Sequence, residues 1–437
     1  MSPLAQQLND TIEEKNPHIA AMLSETGKAL FFPKGLISQG AEAREKAHRI
    51  NATIGIAKEH GRTMAFNTVT DCIDTIPPRD SLTYAPSYGI MALRKLWQES
   101  LMEKNPSLAG KSISLPVVTN GITHGISTVA DVWANPGDTI VAPDMMWGNY
   151  NMIFGVKGGA TFTHYPFFSN DGGFNLSGFE QAIRKGAQTS KKIIVILNYP
   201  HNPTGYTVTK DEGAAMVDIL AAEAARGTHI IAACDDAYFG LFYEEDTLKE
   251  SLFARLCNCH PQLLAIKLDG ATKENYVWGL RVGFITYGGV FSEGAHLAYE
   301  ALEKKTAGCI RGTISNASHV GQTIVYKSMT DKRYADEKKE KFDIMKRRAQ
   351  RVKAVLTDPR YQARFSAYPF NSGYFMCIRL KTVDAEALRR HLLDKYGVGL
   401  ISLGKTDIRV AFSCLEEDEV EVLFDTILKG IKELENA

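Results

Sequence analysis

The sequence predicts an α/β protein in which a mostly parallel sheet is flanked by helices and a smaller α+β domain follows. Four short runs are rich in apolar, β-branched residues, as strands covered on both faces are: Asp138–Pro143, Lys192–Leu197, His229–Cys234 and Leu263–Leu268. Helical patterns lie between them, such as the alanine-rich Lys210–Arg226, and this alternation is typical of parallel strands joined by crossover helices. The 437 residues exceed what one hydrophobic core usually supports, so two domains or more are expected.

The C-terminal part of the chain has a different pattern, which predicts the smaller domain. Tyr374–Leu380 and Ile408–Phe412 have the composition of strands, and Ala385–Tyr396 has that of a helix between them. The charged, helical stretch Tyr334–Leu356 connects this part to the rest. We therefore assign residues 65–340 to a large α/β domain, and residues 1–64 together with 341–437 to a small domain.

The last helix is marked by a start signal and an apolar stripe. Ser413 and Glu416 have the spacing of a capping box, in which each side chain bonds the other residue's backbone N–H. The stripe that should face the core consists of Val420, Leu423, Phe424, Ile427, Leu428 and Ile431.

Charge and composition argue against several classes of protein. The chain has 50 basic and 50 acidic residues, so nothing favours nucleic acid or an anionic membrane as a partner. It has no apolar run long enough for a transmembrane helix, and Met1–Asn16 lacks the pattern of a signal peptide. The seven cysteines are scattered, as is typical of a reducing compartment, and a cytoplasmic protein is expected. Cys257–His260 resembles half of a metal site without a second half, so no metal is expected.

Polar residues follow three successive predicted strands. Ligands of open α/β sheets bind at the carboxyl ends of the strands, so these residues should share one site. Two adjacent carboxylates are costly to bury unless each has a partner. In chain order the residues are Asn202, within Asn-Pro-Thr-Gly; Asp235 and Asp236, followed by Tyr238; and Thr272-Lys273, followed by Arg281.

This ordered set, Asn202-Pro-Thr-Gly205, Asp235-x-x-Tyr238 and Lys273 with Arg281-x-Gly283, resembles the fold-type I aminotransferases of class I/II. Among these it is most similar to the aspartate aminotransferase group, and the resemblance extends from about Asn51 to Phe412. It implies the two-domain fold of that family and the cofactor pyridoxal 5′-phosphate (PLP), held by Lys273 as a Schiff base.

The resemblance also implies roles for the neighbouring residues. Asp235 would pair with the ring nitrogen of PLP and keep it protonated, because an opposite charge stabilises the protonated form. Asn202 and Tyr238 would bind the ring 3-oxygen, and Arg281 would bind the phosphate through two hydrogen bonds. Asp236 is the alternative to Asp235, but only Asp235 has the family's three-residue step to Tyr238.

Lys267 is the alternative to Lys273. It lies inside a predicted strand, so its side chain is expected to point away from the site or to extend to solvent. Lys273 lies at the exit of that strand, and its spacing to Arg281 matches the family, which favours Lys273.

Further cofactor contacts follow from the same resemblance. Gly121, Ile122 and Thr123 correspond to the phosphate-binding start of a helix. Trp147 corresponds to the aromatic residue that stacks on the ring, and Tyr150 is expected beside Asp235. Tyr84 corresponds to the tyrosine that reaches the phosphate of the neighbouring subunit, which implies a homodimer with shared active sites.

The chain departs from the family at two phosphate contacts. Gly270 stands where relatives commonly have a hydroxyl, and Ile122 offers only its backbone N–H. Thr123 and Thr272 are the candidates to compensate.

Two arginines and a glycine bear on the substrate. Arg409 corresponds to the arginine that binds the substrate α-carboxylate, and Arg311 to the one that crosses the dimer to a side-chain carboxylate. Gly55 corresponds to the glycine that the substrate approaches closely, and Asn202 and Trp147 should contact the substrate too.

The predicted reaction moves an amino group from an L-amino acid to a 2-oxo acid by ping-pong kinetics, with amino acids and 2-oxo acids as the only partners besides a second subunit. Arg311 favours aspartate or glutamate as donor and 2-oxoglutarate as acceptor. An aromatic amino acid aminotransferase is one alternative, and a PLP-dependent β-lyase or decarboxylase on the same fold is another. A regulator would need a DNA-binding segment, and a nicotinamide dehydrogenase would need G-x-G-x-x-G after a strand; neither pattern is present in this sequence.

Overall fold

The computed structural model describes residues 1–31, 36–291 and 293–436. Its N-terminal segment contains the helices α1 Pro3–Lys15, α2 Pro17–Ala21, α3 Glu25–Ala29, α4 Leu36–Lys46 and α5 Asn67–Thr70. Three two-residue strands lie between the last two of these helices, namely β1 Ile50–Asn51, β2 Lys58–Glu59 and β3 Arg62–Thr63. Asn16 caps α2 by accepting hydrogen bonds from the backbone N–H groups of His18 and Ile19.

A seven-stranded sheet forms the centre of the molecule. In chain order its strands are β4 Val117–Asn120, β5 Thr139–Pro143, β6 Thr161–Tyr165, β7 Lys192–Asn198, β8 His229–Asp235, β9 Leu263–Gly270 and β10 Val282–Gly289. They lie in the order β4-β10-β9-β8-β7-β5-β6, and β10 alone runs against the other six. The predicted mostly parallel sheet is therefore confirmed, and four of its strands had been located within two residues at either end.

Helices cover the sheet and fill the connections between its strands. They are α6 Met91–Lys104, α7 Ile122–Trp133, α8 Leu176–Thr189, α9 Lys210–Ala225, α10 Leu252–Leu256, α11 Ala271–Glu274, α12 Ala295–Thr313 and α13 His319–Thr330. A π-helix spans Asn151–Lys157, and single 3-10 turns span Pro78–Asp80, Pro106–Leu108 and Trp278–Leu280. A capping box starts α9, because the side chains of Thr209 and Glu212 each accept from the other's backbone N–H.

The long helix α14 Tyr334–Leu356 leads to the C-terminal part, which holds a second sheet. This sheet is antiparallel and has the order β11 Phe365–Ala367, β12 Phe375–Leu380, β15 Asp407–Ala411 and β14 Ile401–Leu403. The helices here are α15 Pro359–Gln362, α16 Ala385–Tyr396 and α17 Glu419–Glu435, and a 3-10 turn spans Phe412–Cys414. Strand β13 Val398–Gly399 pairs in parallel with β1, which ties the N-terminal segment to this part of the chain.

The predicted capping box of the last helix is wrong. Ser413 lies in the 3-10 turn, and α17 begins only at Glu419. The carboxylate of Glu416 is already bound by Nη2 of Arg348 at 2.8 Å and by the backbone N–H of His60 at 2.7 Å, so it does not fold back toward Ser413. The predicted stripe is confirmed, since all six of its residues are buried.

The domain division stays a prediction, and α14 runs unbroken through its proposed boundary between residues 340 and 341. Across residues 1–31, 36–291 and 293–436, none of the helices combines the length and apolar content that crossing a membrane requires.

Candidate active site

A cavity of about 410 Å³ lies at the carboxyl ends of β7 and β8 and beside the exit of β9. Seven of its lining residues belong to the predicted cofactor and substrate contacts: Ile122, Thr123, Trp147, Asn202, Asp235, Tyr238 and Lys273. The others are Tyr150, which was expected beside Asp235, and the two unpredicted residues Asn198 and Ala237. The parallel strands bring these residues together because their polar ends meet at one edge of the sheet.

Lys267 and the half-buried Lys273 have opposite electrostatic environments, and of the two only Lys273 lines the cavity. Burial lowers the pKa of Lys273 to about 8, since Asp235 offsets that effect only in part and Arg281 adds to it. Its Nζ lies 4.7 Å from the ring centroid of Tyr238. In the described part of the chain this amine makes no ion pair and no hydrogen bond. A neutral, unpaired amine in a cavity is a nucleophile and a general base.

Lys267 is completely buried and does not line the cavity, so of the two expected orientations it points away from the site and does not extend to solvent. It forms an ion pair with Asp236 and lies 3.7 Å from Oδ2 of Asp269. Burial opposes its charge, but the two carboxylates outweigh burial and raise the pKa of Lys267. Lys267 is therefore a structural cation on the side of β9 away from the cavity.

The side chains of Asp235 and Asp236 lie in different surroundings, because successive residues of an extended chain point to opposite faces of the sheet. The Asp236 carboxylate accepts from Lys267 and, at 2.6 Å, from the hydroxyl of Ser251. The Asp235 carboxylate lines the cavity instead. Of the two adjacent carboxylates, Asp236 is thus neutralised by an internal ion pair, and Asp235 is available to the site.

The carboxylate of Asp235 is oriented by two donors. The Tyr150 hydroxyl donates to its Oδ2, and the backbone N–H of Ala237 donates to its Oδ1 at 3.1 Å. Burial raises the pKa of Asp235 to about 6, although the Tyr150 hydrogen bond works in the opposite direction. A cation placed next to this carboxylate would be held strongly, because both groups would be shielded from water.

Asn198 is paired with Asp235 across the sheet and holds the neighbouring loop. Its Nδ2 donates to the backbone carbonyl of Asp235 at 2.8 Å, and its Oδ1 accepts from the N–H of Asn202 at 2.9 Å. The loop after β7 is therefore fixed relative to β8, with Asn202 at the rim of the cavity.

Arg409 reaches this rim from the second sheet. It lies on the central strand β15, between Cys377 and Ile401. Its Nη1 donates to Oδ1 of Asn202 at 3.2 Å, and its Nη2 donates to the carbonyl of Thr53 at 2.9 Å. The buried Nε has no hydrogen-bond partner within residues 1–31, 36–291 and 293–436. No carboxylate of the described residues forms an ion pair with this buried guanidinium, although such a charge is normally paired.

Tyr238 and Gly55 adjoin Arg409. A Cβ at position 55 would lie 3.4 Å from the Tyr238 hydroxyl and 3.2 Å from the ring of Phe375, so the backbone here passes close to both rings. Burial raises the pKa of Tyr238, and Arg409 acts against this increase. The tyrosine is therefore a hydrogen-bond donor at neutral pH.

The start of α7 forms part of the cavity wall. Gly121, with φ of +78°, precedes the helix, and a Cβ there would lie 2.3 Å from Nη2 of Arg281. Glycine thus lets the guanidinium lie against a helix N-terminus, which attracts anions. Ile122 and Thr123 line the cavity, whereas Thr272 is buried beside it, and its Oγ1 finds no hydrogen-bond partner in the part of the chain that the structure describes.

Steric crowding explains why position 270 is occupied by glycine. A Cβ there would lie 2.6 Å from the carbonyl oxygen of Val282 and 2.9 Å from Cα of Gly283. The two strands are too close for the hydroxyl residue that the resemblance would place at this position.

Trp147 and Tyr150 form one wall. Their rings meet edge to face, with centroids 5.4 Å apart. Trp147 is only half-buried, so one part of its surface is open to the cavity.

Tyr84 and Arg311 are not brought to the cavity of their own chain. Tyr84 is 88% exposed, and Arg311 is exposed on α12, where its Nη1 donates to Oγ of Ser315 at 2.7 Å. Both positions stay predictions that need a second subunit.

The sequence reasoning missed three groups of the site. Asn198 could have been found, because it is the last residue of the strand before the Asn202 loop. The carbonyl of Thr53 and the N–H of Ala237 are backbone groups, and no residue type marks them.

The family model "Aminotransferase class I and II" matches residues 66–427. An aspartate aminotransferase of Sulfurisphaera tokodaii is 23% identical over 364 residues, which are 80% of this chain and 81% of that protein. The mitochondrial aspartate aminotransferase of Saccharomyces cerevisiae is 22% identical over 421 residues, 86% of this chain and 90% of its own.

Solved structures show the same fold. The aminotransferase of Anaerococcus prevotii has a TM-score of 0.83 at 24% identity and covers 94% of this chain and 99% of its own. Kynurenine aminotransferase of Pyrococcus horikoshii has a TM-score of 0.77 at 18% identity and covers 96% and 99%. The chain belongs to the aminotransferase class I and II family and is a PLP-dependent transaminase of fold type I.

Proposed function

We propose that this enzyme transfers the amino group of a dicarboxylic L-amino acid, aspartate or glutamate, to a 2-oxo acid such as 2-oxoglutarate. The observation that carries the binding of an α-amino acid is Arg409, a buried guanidinium with a free Nε and no carboxylate partner among the described residues, at the rim of the cavity that holds Lys273. The preference for a dicarboxylic substrate rests on the predicted role of Arg311. A substrate α-carboxylate would supply the missing negative charge.

The residues fit PLP at each end of the cavity. The unpaired amine of Lys273 suits the aldehyde, the carboxylate of Asp235 suits the ring nitrogen, and the α7 N-terminus with Arg281 suits the phosphate. Tyr238 and Asn202 would bind the ring 3-oxygen, and Trp147 would stack on the ring. When bound, PLP supplies an aldehyde that condenses with amines and a ring that withdraws electrons from the substrate Cα.

Lys273 is the proposed general base. Its pKa of about 8 leaves a substantial neutral fraction near pH 7.5, so its Nζ can take the proton from the substrate Cα. The ring of Tyr238 next to Nζ limits the positions of the amine. Arg409 and Asn202 would fix the α-carboxylate, and they would thereby place Cα in reach of the lysine.

Asp235 is the proposed partner of the ring nitrogen. Its carboxylate is held by Tyr150 and Ala237 in one orientation and is shielded from water. A negative charge fixed in this way favours a protonated ring nitrogen, which makes the ring a stronger electron acceptor.

We also propose a homodimer with shared sites. Tyr84 is almost fully exposed, and Leu82, two positions before it in sequence, is 82% exposed. Exposed apolar surfaces of this kind are typical of subunit contacts. In the dimer, Tyr84 would reach the partner's phosphate and Arg311 the side-chain carboxylate of its substrate. The cytoplasmic location stays a prediction.

The test is a half-reaction. PLP-loaded enzyme is mixed with single amino acids, and the loss of the cofactor's visible absorbance and the 2-oxo acid product are measured. We expect aspartate and glutamate to give kcat/KM values at least about tenfold above that of alanine. A preference for aromatic donors would replace the proposal by the aromatic alternative. Release of ammonia or carbon dioxide without an acceptor would identify a lyase or decarboxylase instead.

A further inference from the structure

A second cavity, of about 1070 Å³ and open to solvent, adjoins the first. Arg409 and Gly55 line it. Arg409 contacts the rim of the first cavity through Asn202, and the backbone at Gly55 passes so close to that rim that a Cβ there would lie 3.4 Å from the Tyr238 hydroxyl. A substrate bound at Arg409 therefore has space for its side chain in this second cavity.

The lining of this cavity is cationic. Besides Arg409 it includes Arg44 and Lys58, and it contains no carboxylate among the described residues. The other lining residues are neutral: Gly40, Asn51, Thr53, Ile54, Gly55, Ile56 and Thr63. Ile54 and Ile56 give it an apolar part that suits the methylene groups of a side chain.

Arg44 has no counter-ion on its own helix. Side chains three or four residues apart share a face of a helix, and the residues of α4 at these distances from Arg44 are Gly40 and Ala41, which carry no charge. The nearby Glu42 is bound to Lys46 at 3.1 Å and to Arg389 at 3.0 Å. In residues 1–31, 36–291 and 293–436, no hydrogen bond or ion pair engages the guanidinium of Arg44.

The ammonium group of Lys58 is likewise unpaired among the described residues, while the backbone of Lys58 is held in place. Its carbonyl accepts from Nη1 of Arg348 at 2.6 Å. The next residue, Glu59, is bound to Lys341 at 2.9 Å, so it is not available to Lys58. The ammonium group has no ion-pair partner within the described part of the chain. Two unpaired cations thus line one cavity at fixed backbone positions.

We propose that Arg44 and Lys58 form a subsite for the side-chain carboxylate of the substrate, supplied by the same chain that binds its α-carboxylate. The inference rests on the proposed function and adds to the predicted role of Arg311 from the partner subunit. Amino acids with an apolar stem and a terminal carboxylate are the substrate class that it selects, because Arg409 would take one charge and the pair Arg44–Lys58 the other.

The experiment compares Arg44→Gln, Lys58→Gln, the double variant and Arg311→Gln with the wild type, all as PLP-loaded enzyme. For each, the ratio of kcat/KM for glutamate over alanine is measured. Calorimetric titration with succinate and with butyrate gives a second ratio that does not depend on turnover. Arg49→Gln, which removes an exposed arginine just beyond α4 and outside the cavity lining, is the matched control.

We expect the double variant to lower both ratios by about 10- to 100-fold, the effect of losing charge-assisted hydrogen bonds. Arg44→Lys should retain part of the selectivity, and Arg49→Gln should leave both ratios within about twofold. Ratios in the double variant that equal those of the wild type overturn the inference, whatever Arg311→Gln does. If the wild type turns over neither donor, the proposed function fails, and the succinate-to-butyrate ratio still decides on Arg44 and Lys58.

Discussion

Replacing Lys267 with methionine should destabilise the fold strongly and in a pH-dependent way. The substitution keeps most of the side-chain volume but removes the cation between Asp236 and Asp269, all three being fully buried. Removing one partner of a buried ion pair costs about 3–5 kcal/mol, because the remaining charge has no compensation. We expect a loss of this size at pH 8 in the free energy of unfolding.

The loss should shrink as the pH falls. Burial raises the pKa of Asp269 to about 6 even with Lys267 present, and without the cation the pKa values of both carboxylates rise further. Since their folded pKa lies above the unfolded value of about 3.9, the folded protein binds protons more tightly, and stability decreases as the pH rises through this window. The penalty is therefore complete well above pH 6 and nearly absent close to pH 4.

Urea unfolding of the PLP-free protein at pH 8 and pH 5.5, followed by tryptophan fluorescence, measures this effect. The double variant Lys267→Met, Asp236→Asn should recover at least part of the loss at pH 8. Lys249→Met, which breaks an exposed pair with Glu245, should hardly move the midpoint. A loss below about 1 kcal/mol at pH 8, or one that is equal at both pH values, would refute the reasoning.

Three further predictions concern the site. Borohydride treatment of the PLP-loaded enzyme followed by peptide mapping should label Lys273 and not Lys267, and Lys273→Ala should remove both label and turnover; a label at Lys267 would contradict the contrast between the two lysines. Tyr150→Phe removes a hydrogen bond that lowers the pKa of Asp235. Asp235 should therefore become protonated at a higher pH than in the wild type, and the acidic limb of the profile of kcat/KM against pH should shift to higher pH by about one unit. An unchanged limb would show that this bond does not control Asp235. Gly270→Ser should cost about 1–3 kcal/mol in unfolding free energy and weaken PLP binding, because its Cβ meets the Val282 carbonyl; tighter binding in a dialysis assay would instead show that the strands can separate to accept the hydroxyl.

Much of the fold was predictable because its strands are short apolar runs whose residue pattern is local. Leu263–Leu268 was predicted as a short apolar run, and β9 extends it by only two residues. The start of α17 was not predictable, because Glu416 is bound by Arg348 and His60, which lie far away in sequence. A local capping signal fails when a distant cation binds its carboxylate.

The site shows the same limit. The order of Asn202, Asp235 and Lys273 along the chain indicated a shared sheet edge, and the structure brings all three to one cavity. The environment of Lys267 was missed, because Asp236 lies next to it only after β8 and β9 pair, although Asp269 is two residues along the same strand. Spacing reveals which residues end a strand, but it does not reveal which charges neutralise each other inside a core.

The parallel pairing of β1 with β13 gives the first 65 residues an importance that the bounds of the family match, 66–427, do not suggest. A truncated chain beginning at Phe66 would lose the Thr53 carbonyl that orients Arg409, together with Gly55 at the rim of the cavity. It would also leave Val398 and Gly399 as an unpaired sheet edge, which invites aggregation. Expression boundaries for this enzyme should therefore include the N-terminal segment.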